Sequence, residues 1–226
     1  MSEPFSKHIT YTPSGGDALV KSYKSTIYED KGDQAFYAAI DTYLVDATWV
    51  PKMSWENNTS AAQSYALTYT TELKVTKGSE VTTSIKIAGA FRGLSISMGT
   101  SVKEFNAYET TDTTTKTITL NVPAKSTLTF YQRRYRFRDT MFFILDAWNE
   151  MWKAGSWGSY KLTKKACVVE IMSEDYLTAD AKLDDSTTGT MVVKKVPRAT
   201  LESSYSARKR ENLTDRAKEV LDDIGA

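Results

Sequence analysis

The sequence predicts a mainly β protein with a C-terminal helix. Three observations carry that expectation. Thr and Ser are abundant and alternate with apolar residues over long stretches, which is the period of a half-buried strand. The segment "SYALTYTTELKV" (Ser64 to Val75) shows it cleanly, with Tyr65, Leu67, Tyr69, Leu73 and Val75 on one side and Ser64, Thr68, Thr70, Glu72 and Lys74 on the other. The last residues, "NLTDRAKEVLDDIGA", break the pattern and place Leu213, Ala217, Val220, Leu221 and Ile224 at helical spacing, with Asn212 or Thr214 as the cap.

Residues 1–30 read as polar and irregular, with a turn at Ser14 to Asp17. "GDQAFYAAIDTYLVDATW" (Gly32 to Trp49) is open between a short helix around Ala38, Ala39 and Ile40 and a strand beginning at Tyr43 to Val45. Pro51 is expected to end either one. After Val75 an amphipathic hairpin follows, then a strand in "TTDTTTKTITLNVP" (Thr110 to Pro123) and another in "STLTFYQRRYRFR" (Ser126 to Arg138). The arginines of the latter, Arg133, Arg134, Arg136 and Arg138, suit a solvated edge strand, or contacts with phosphate headgroups or acidic neighbours. Thr140 to Tyr160 is the most aromatic stretch. Strands resume in "KLTKKACVVEIM" and "TMVVKKVP", joined by a loop at Asp184 to Gly189. Four regions result: 1–60 as an N-terminal region, 61–140 as a β module, 141–200 as the aromatic segment with returning strands, and 201–226 as a helical tail.

With 226 residues and 41% hydrophobic content, the chain can bury a sizeable core. The 29 basic and 28 acidic side chains leave a formal charge of +1, so no global field draws it to nucleic acid. The single cysteine, Cys167, excludes an internal disulfide and reads as a buried thiol on a strand. "MSEPFSKHITYT" lacks the apolar core of a secretory signal, and no run approaches the roughly 20 apolar residues of a spanning helix. The chain reads as soluble without an evident signal: made for the cytosol, exported by another route, or trimmed of its signal, and if it meets a bilayer it does so as strands or at the surface.

The hairpin is "TSIKIAGAFRGLSISMGTSVKEF" (Thr83 to Phe105). A two-residue turn at Arg92-Gly93 pairs Phe91 with Leu94, Ile87 with Met98, and Thr82 with Lys103. Ile85, Ile87, Phe91, Leu94, Ile96, Met98 and Val102 then share one face. Lys86, Ser95, Ser97 and Lys103 share the other. The arms, Val81–Phe91 and Leu94–Val102, hold 11 and 9 residues, the length of a tilted bilayer-crossing strand at roughly 9–11. The pattern suits first a hairpin packed on a core, since every half-buried antiparallel sheet alternates, and also one that enters lipid. Entry into lipid requires several chains, because a lone hairpin leaves its edge N–H and C=O groups unsatisfied.

The order of these features resembles the aerolysin-like pore-forming proteins, in the epsilon-toxin and mosquitocidal-toxin branch. A Thr/Tyr strand (Tyr65 to Val75) leads to a Ser/Gly-rich amphipathic hairpin (Val81 to Val102) and a Thr-rich return (Tyr108 to Phe130). "NVPAKSTLTF" is similar to the family's Val-Pro-Pro followed by a further strand, with Ala124 in place of the second proline. "YLTADAKLDDSTTGTMVV" is similar to a late family hairpin. The resemblance covers residues 60–140. It implies an elongated, mostly β protein whose long twisted antiparallel strands form a pore-forming module with the hairpin tucked against it, a smaller mixed membrane- or receptor-binding head beginning in residues 1–60, rings of copies that insert their hairpins as a transmembrane β-barrel, and a soluble form released or secreted to act at a target cell membrane. The implied partners are a membrane lipid or glycan receptor and further copies of the chain, with no cofactor. Precursor forms in the family suggest that the tail blocks assembly until cut near Arg208-Lys209-Arg210, a stretch that reads as flexible; a plain packed helix is the other reading.

Trp148, Trp152 and Trp157, with Tyr131, Tyr135 and Tyr160, suit lipid headgroups or sugar faces, or a core. Enzyme chemistry finds little: His8 is the one histidine, so a nucleophile–His or zinc centre would have to use it. No carboxylate pair stands out for glycoside hydrolysis. The sequence therefore predicts a pore-forming protein. The alternative is a non-lytic lectin-like or lipid-binding β protein.

Overall fold

The computed structural model describes residues 5–79, 81, 85, 87–110, 113–156, 158, 161–199 and 207–226. The elements are β1 (Thr10–Pro13), β2 (Ala18–Asp30), β3 (Gln34–Asn57), β4 (Gln63–Lys77), α1 (Ile87–Phe91), β5 (Ser95–Met98), β6 (Ser101–Glu104), β7 (Thr114–Val122), β8 (Ser126–Ala147), β9 (Glu150–Ala154), β10 (Lys164–Ala179), β11 (Gly189–Met191), β12 (Ala207–Arg208) and α2 (Asp215–Asp223). The fold is mainly β, as expected.

Two strands form the spine. β3 runs 24 residues and β8 runs 22, and they pair antiparallel from Gln34↔Ala147 to Asn57↔Ser126. The sheet order is β11-β1-β3-β8-β10-β4-β7, with β2 also beside β3 and β9 beside β8. β1–β11 and β9–β12 are parallel; the other pairs are antiparallel. Below the spine's midpoint β4 changes layer. Its Glu72–Lys77 half pairs with β10, while Gln63–Thr71 pairs with β7. Leu67, Tyr69 and Leu120 then pack across onto Phe130, with Trp55 beside them.

Several expectations change. Residues 1–30 are not irregular, since β1 and β2 occupy most of them. Gly32 to Trp49 is strand, not helix: Ala38 and Ile40 point into the core, and flanking strands on both sides supply hydrogen bonds that a helix would forgo. Pro51 does not end β3. It sits where the β3–β8 register shifts, between Pro51 and Met53, and a bulge tolerates the missing N–H. "TMVVKKVP" supplies only two residues, Thr190 and Met191, to the three-residue β11 (Gly189–Met191).

The arginine-rich strand is not an edge but the centre of the sheet, between β3 and β10. Alternation resolves the apparent conflict. Arg134, Arg136 and Arg138 point to one face and meet Glu170, Asp46 and Asp17 on neighbouring elements. Arg133 points to the other face, where its guanidinium lies 4.8 Å from the Trp49 ring centre and 4.9 Å from Phe5. α2 forms where expected, capped by Thr214, whose Oγ1 accepts from the Ala217 N–H. Leu213, Ala217, Leu221 and Ile224 join the core. The basic stretch before it is engaged rather than loose: Arg208 pairs with Glu150, and Arg210 with Asp222 and the Ala226 carbonyl.

Cys167 is buried on β10, as expected, with Sγ 3.9 Å from Asp139 Oδ2. Burial pushes the Asp139 carboxyl up to about 6, with the Lys21 charge pulling the other way. The folded state therefore prefers the neutral acid. Its charged form costs stability above pH 6, and that cost is recovered as pH falls toward the ordinary carboxylate range. Asp139→Asn is expected to raise the melting midpoint at pH 8, by an amount equivalent to about 3 kcal/mol. It should also flatten the part of the stability profile between pH 6 and 4; thermal melts across that range check it.

Candidate functional site

The segment between β4 and β7 contains the expected hairpin, in a different conformation. Residues 87–91 are helical, and residues 81 and 85 have helical backbone too. Ile87, Ala90 and Phe91 are buried, spaced three and four apart as on one helix face. The same letters that alternate by two thus also satisfy a helical stripe, and the local packing selects the helix. Gly93, with φ 68°, terminates it instead of turning a hairpin.

The hairpin that does form is shorter. β5 pairs with β6 as Ser95↔Glu104, Ile96↔Lys103, Ser97↔Val102 and Met98↔Ser101, turning at Gly99-Thr100. The expected pairs Phe91–Leu94 and Ile87–Met98 are absent, and Leu94 bonds Phe105 instead (Phe105 N–H to Leu94 O, 2.9 Å). Moving the turn by seven residues changes which side chains share a face. Ile85, Ile87, Phe91, Leu94, Ile96 and Met98 are buried. Val102, expected with them, is 61% exposed, and Lys103, expected opposite Ile96, faces inward with it at 6%. Ser95 is exposed and Ser97 half-buried. Lys86 lies outside the described residues.

Apolar contacts hold the first part of the segment. The Phe91 ring sits 4.9 Å from Phe137, and Phe105 sits 5.1 Å from Tyr135, edge to face. Lys21 Nζ donates to the Ala90 carbonyl at 2.5 Å, so β2 clasps α1. The outer edge of β5 docks on residues 192–194 through Gly99 N–H to Val192 O (2.7 Å) and Lys194 N–H to Ser97 O (3.1 Å).

Polar contacts hold the second part, a feature that strand periodicity did not reveal. Lys103 Nζ lies 2.7 Å from Glu109 Oε1 and 3.1 Å from Asp175 Oδ1. Glu109 is fully buried. It also accepts from the N–H groups of Asn106 and Glu174, each at 2.8 Å. Asn106 and Tyr108 donate to the Glu174 carboxylate. The Tyr135 hydroxyl donates to Asp175 Oδ2 at 3.0 Å. The receiving side is a bulge in β10, where the register with β8 shifts between Met172 and Tyr176. It re-aims Glu174 and Asp175 toward the segment. Gln132 Nε2 braces it by donating to Ser173 O at 2.8 Å. A cleft of about 470 Å³ opens here, lined in part by Tyr69, Val102, Arg133 and Tyr176.

A second feature lies at the β8–β9 turn. Trp148 and Asn149 have φ 57° and 58°, both left-handed. Tight hairpins favour that geometry, but it is a position for Asn or Gly rather than Trp. Trp148 is 56% exposed and its ring lies 5.2 Å from that of Trp152. Trp152 is buried, bonded to Glu150 and covered by Arg208 at 4.4 Å. Trp157 lies outside the described residues. Tyr131 and Tyr135 are core residues, and Tyr160 is also outside the described range.

His8 is tied down rather than mobile, with Nδ1 3.2 Å from Asp184 Oδ2 and 3.0 Å from Thr187 Oγ1. No group of three or more potential metal ligands occurs among the described residues. No helix among them is long and apolar enough to cross a membrane, which says nothing of crossing by strands.

Phe105→Ala removes the ring between Tyr135 and Phe137. It is expected to lower the unfolding free energy by roughly 3–5 kcal/mol in urea titrations. A cost under 1 kcal/mol would mean that the segment is not part of the cooperative core.

No family model matches the chain, and no curated protein sequence does. Among solved structures, the chain is similar to the oligomeric pore-forming toxin pro-monalysin, at 9% identity and a TM-score of 0.38, over 85% of this chain and 77% of that one. It is also similar to the parasporin-2 toxin of Bacillus thuringiensis that recognises cancer cells, at 13% identity and a TM-score of 0.18, over 70% and 77%. With both TM-scores below 0.5, the functional reading rests on this chain's own residues.

Proposed function

We propose that the chain is a pore-forming protein that binds a target membrane, oligomerises, and inserts residues 81–102 as one hairpin of a transmembrane β-barrel. One observation carries this reading. The stored fold uses the period-two pattern only around β5, where Leu94, Ile96 and Met98 are buried, and breaks it on either side. Residues 87–91 coil, Val102 faces water, and Lys103 faces the core. A pattern that the stored state contradicts at these positions suits a second conformation. In that state Ile85, Ile87, Phe91, Leu94, Ile96, Met98 and Val102 face acyl chains, and Lys86, Ser95, Ser97 and Lys103 face the lumen. Residues 61–140 are the inserting module and the remainder supplies recognition. Copies must close a barrel together, since lipid cannot satisfy open strand edges.

Of the three tryptophans expected to bind membrane or receptor, Trp148 is the proposed contact; Trp152 is buried under Arg208 and backs its ring, and Trp157 lies outside the described residues. An exposed Trp held in a left-handed conformation carries a steric cost on the order of 1 kcal/mol that an interfacial role offsets. This observation also suits a non-lytic lectin-like or lipid-binding protein. Trp148→Gly removes the steric cost, so it should keep or raise the melting temperature while weakening vesicle co-sedimentation. Unchanged sedimentation would remove Trp148 from the binding surface.

Two exposed residues separate the pore from the binder. Thr100 sits in the β5–β6 turn and Ser95 on the outer side of β5, so arginine at either leaves the stored fold intact. In the barrel, Thr100 faces lipid and Ser95 the lumen. A lipid-facing Arg costs roughly 2–4 kcal/mol at the midplane, less toward the interfaces, in every protomer. Thr100→Arg should therefore abolish dye release from vesicles, while Ser95→Arg keeps it. Equal release by both, or none from the unmodified protein, refutes the insertion hairpin and leaves the binder.

A further inference from the structure

We propose that the cluster of Lys103, Glu109 and Asp175 is a kinetic lock on the stored segment, so that its opening sets the rate of insertion. The proposal rests on the insertion reading above. Lys103 occupies an inward position shared with Ile96 and Met98, where an apolar side chain would pack without any partner. The fold instead places an ammonium there and matches it from two directions. Glu109 comes from the segment itself, 2.7 Å away, and Asp175 from the body, 3.1 Å away.

The two sides differ in construction. On the body side the β10 bulge is fixed: Ser173 Oγ donates to Arg133 O at 3.0 Å and Gln132 spans Ser173 O and Thr70 O. On the segment side, residues 103–109 meet that bulge through directional bonds to Asp175, Glu174 N–H and the Glu174 carboxylate. Apolar surfaces can slide apart while staying partly covered. Charges bonded across the seam cannot: as the segment lifts, Lys103 leaves Asp175 and Glu109 leaves the Glu174 N–H before water arrives, while the Lys103–Glu109 pair travels with the segment. Once Lys103 reaches water, as it does on the lumen face, its hydration is restored. The bonds across the seam therefore add much to the barrier and little to the equilibrium, which is the behaviour of a lock rather than of a glue.

Hydrogen–deuterium exchange of the protein in solution, read at high pH where each opening leads to exchange so that the opening rate is measured, tests the lock without a membrane, and vesicle dye release tests its consequence. Glu109→Gln is expected to speed amide exchange over residues 95–105 at least tenfold, with β3 and β8 still protected. The lag before dye release should shorten by a similar factor. Asp175→Asn, on the half-exposed body side, should act in the same direction and carries the test if Glu109→Gln fails to fold by circular dichroism. Unchanged exchange in the folded variants overturns the lock. Faster exchange with the lag of the unmodified protein overturns it as well. Faster exchange with no dye release from any form supports the lock on the segment, and the pore reading is then what fails.

Discussion

Ile85, Ile87, Phe91, Leu94, Ile96 and Met98 are each 5% exposed or less, covered by β2, β8 and their neighbours. Uncovering such side chains in water costs roughly 1.5–3 kcal/mol apiece, on the order of 10 kcal/mol together. That is comparable with the whole stability of a typical domain. The segment therefore cannot be released into solvent as a matter of routine. In the proposed pore it would exchange one apolar surrounding for another, acyl chains in place of the core.

The spine gives this storage its rigidity. β3 and β8 stay paired along nearly their full lengths, and their irregularities do specific work in placing other parts. The shift at Pro51 lets a proline persist within a long strand. The bulge at 173–175 turns two carboxylate residues out of the β10–β8 ladder to meet Lys103. Arg136 pairs with Asp46 across the β3–β8 pair, so charges that suggested an edge strand are matched within the sheet's middle. On the opposite side of that strand Arg133 stacks among aromatic rings, where a guanidinium's broad, weakly hydrated faces suit burial better than an ammonium's.

Strand content and the terminal helix were legible because periodicity reports burial directly. Tyr65 to Val75 and the capped helix at Thr214 needed no partner to be read. The misread parts depended on partners. Ala38 to Ile40 have good local helix preferences, yet two flanking strands decide the outcome. Arg133 to Arg138 read as solvated because their acids come from β1–β2, β3 and β10, far off in sequence. The Lys103 cluster was invisible for the same reason, since Asp175 is contributed by a strand 72 residues away. Trp148 was singled out by composition, but its left-handed backbone depends on the hairpin it turns.

Two glycines frame the remaining question of how one segment serves two conformations. Gly93 and Gly99 both have positive φ in the stored state, 68° and 60°. With the turn at Gly99-Thr100, Lys103 lies across from Ile96 and is held inside. With the turn at Arg92-Gly93, the proposed barrel register, Lys103 lies across from Thr82 and on the face opposite Ile96. The residue that fastens the segment thus becomes a lumen residue through a change of turn, with no change in the apolar alternation of Leu94, Ile96 and Met98. β5 can keep its strand conformation throughout; what must change is α1, which unwinds, and the partner of β5, which passes from β6 to the arm that α1 had stored. The bonds that tie β5 to the body, Gly99 N–H to Val192 O and Lys194 N–H to Ser97 O, would be given up with the contacts around Lys103, so the proposed exchange breaks directional bonds on both edges of the short hairpin.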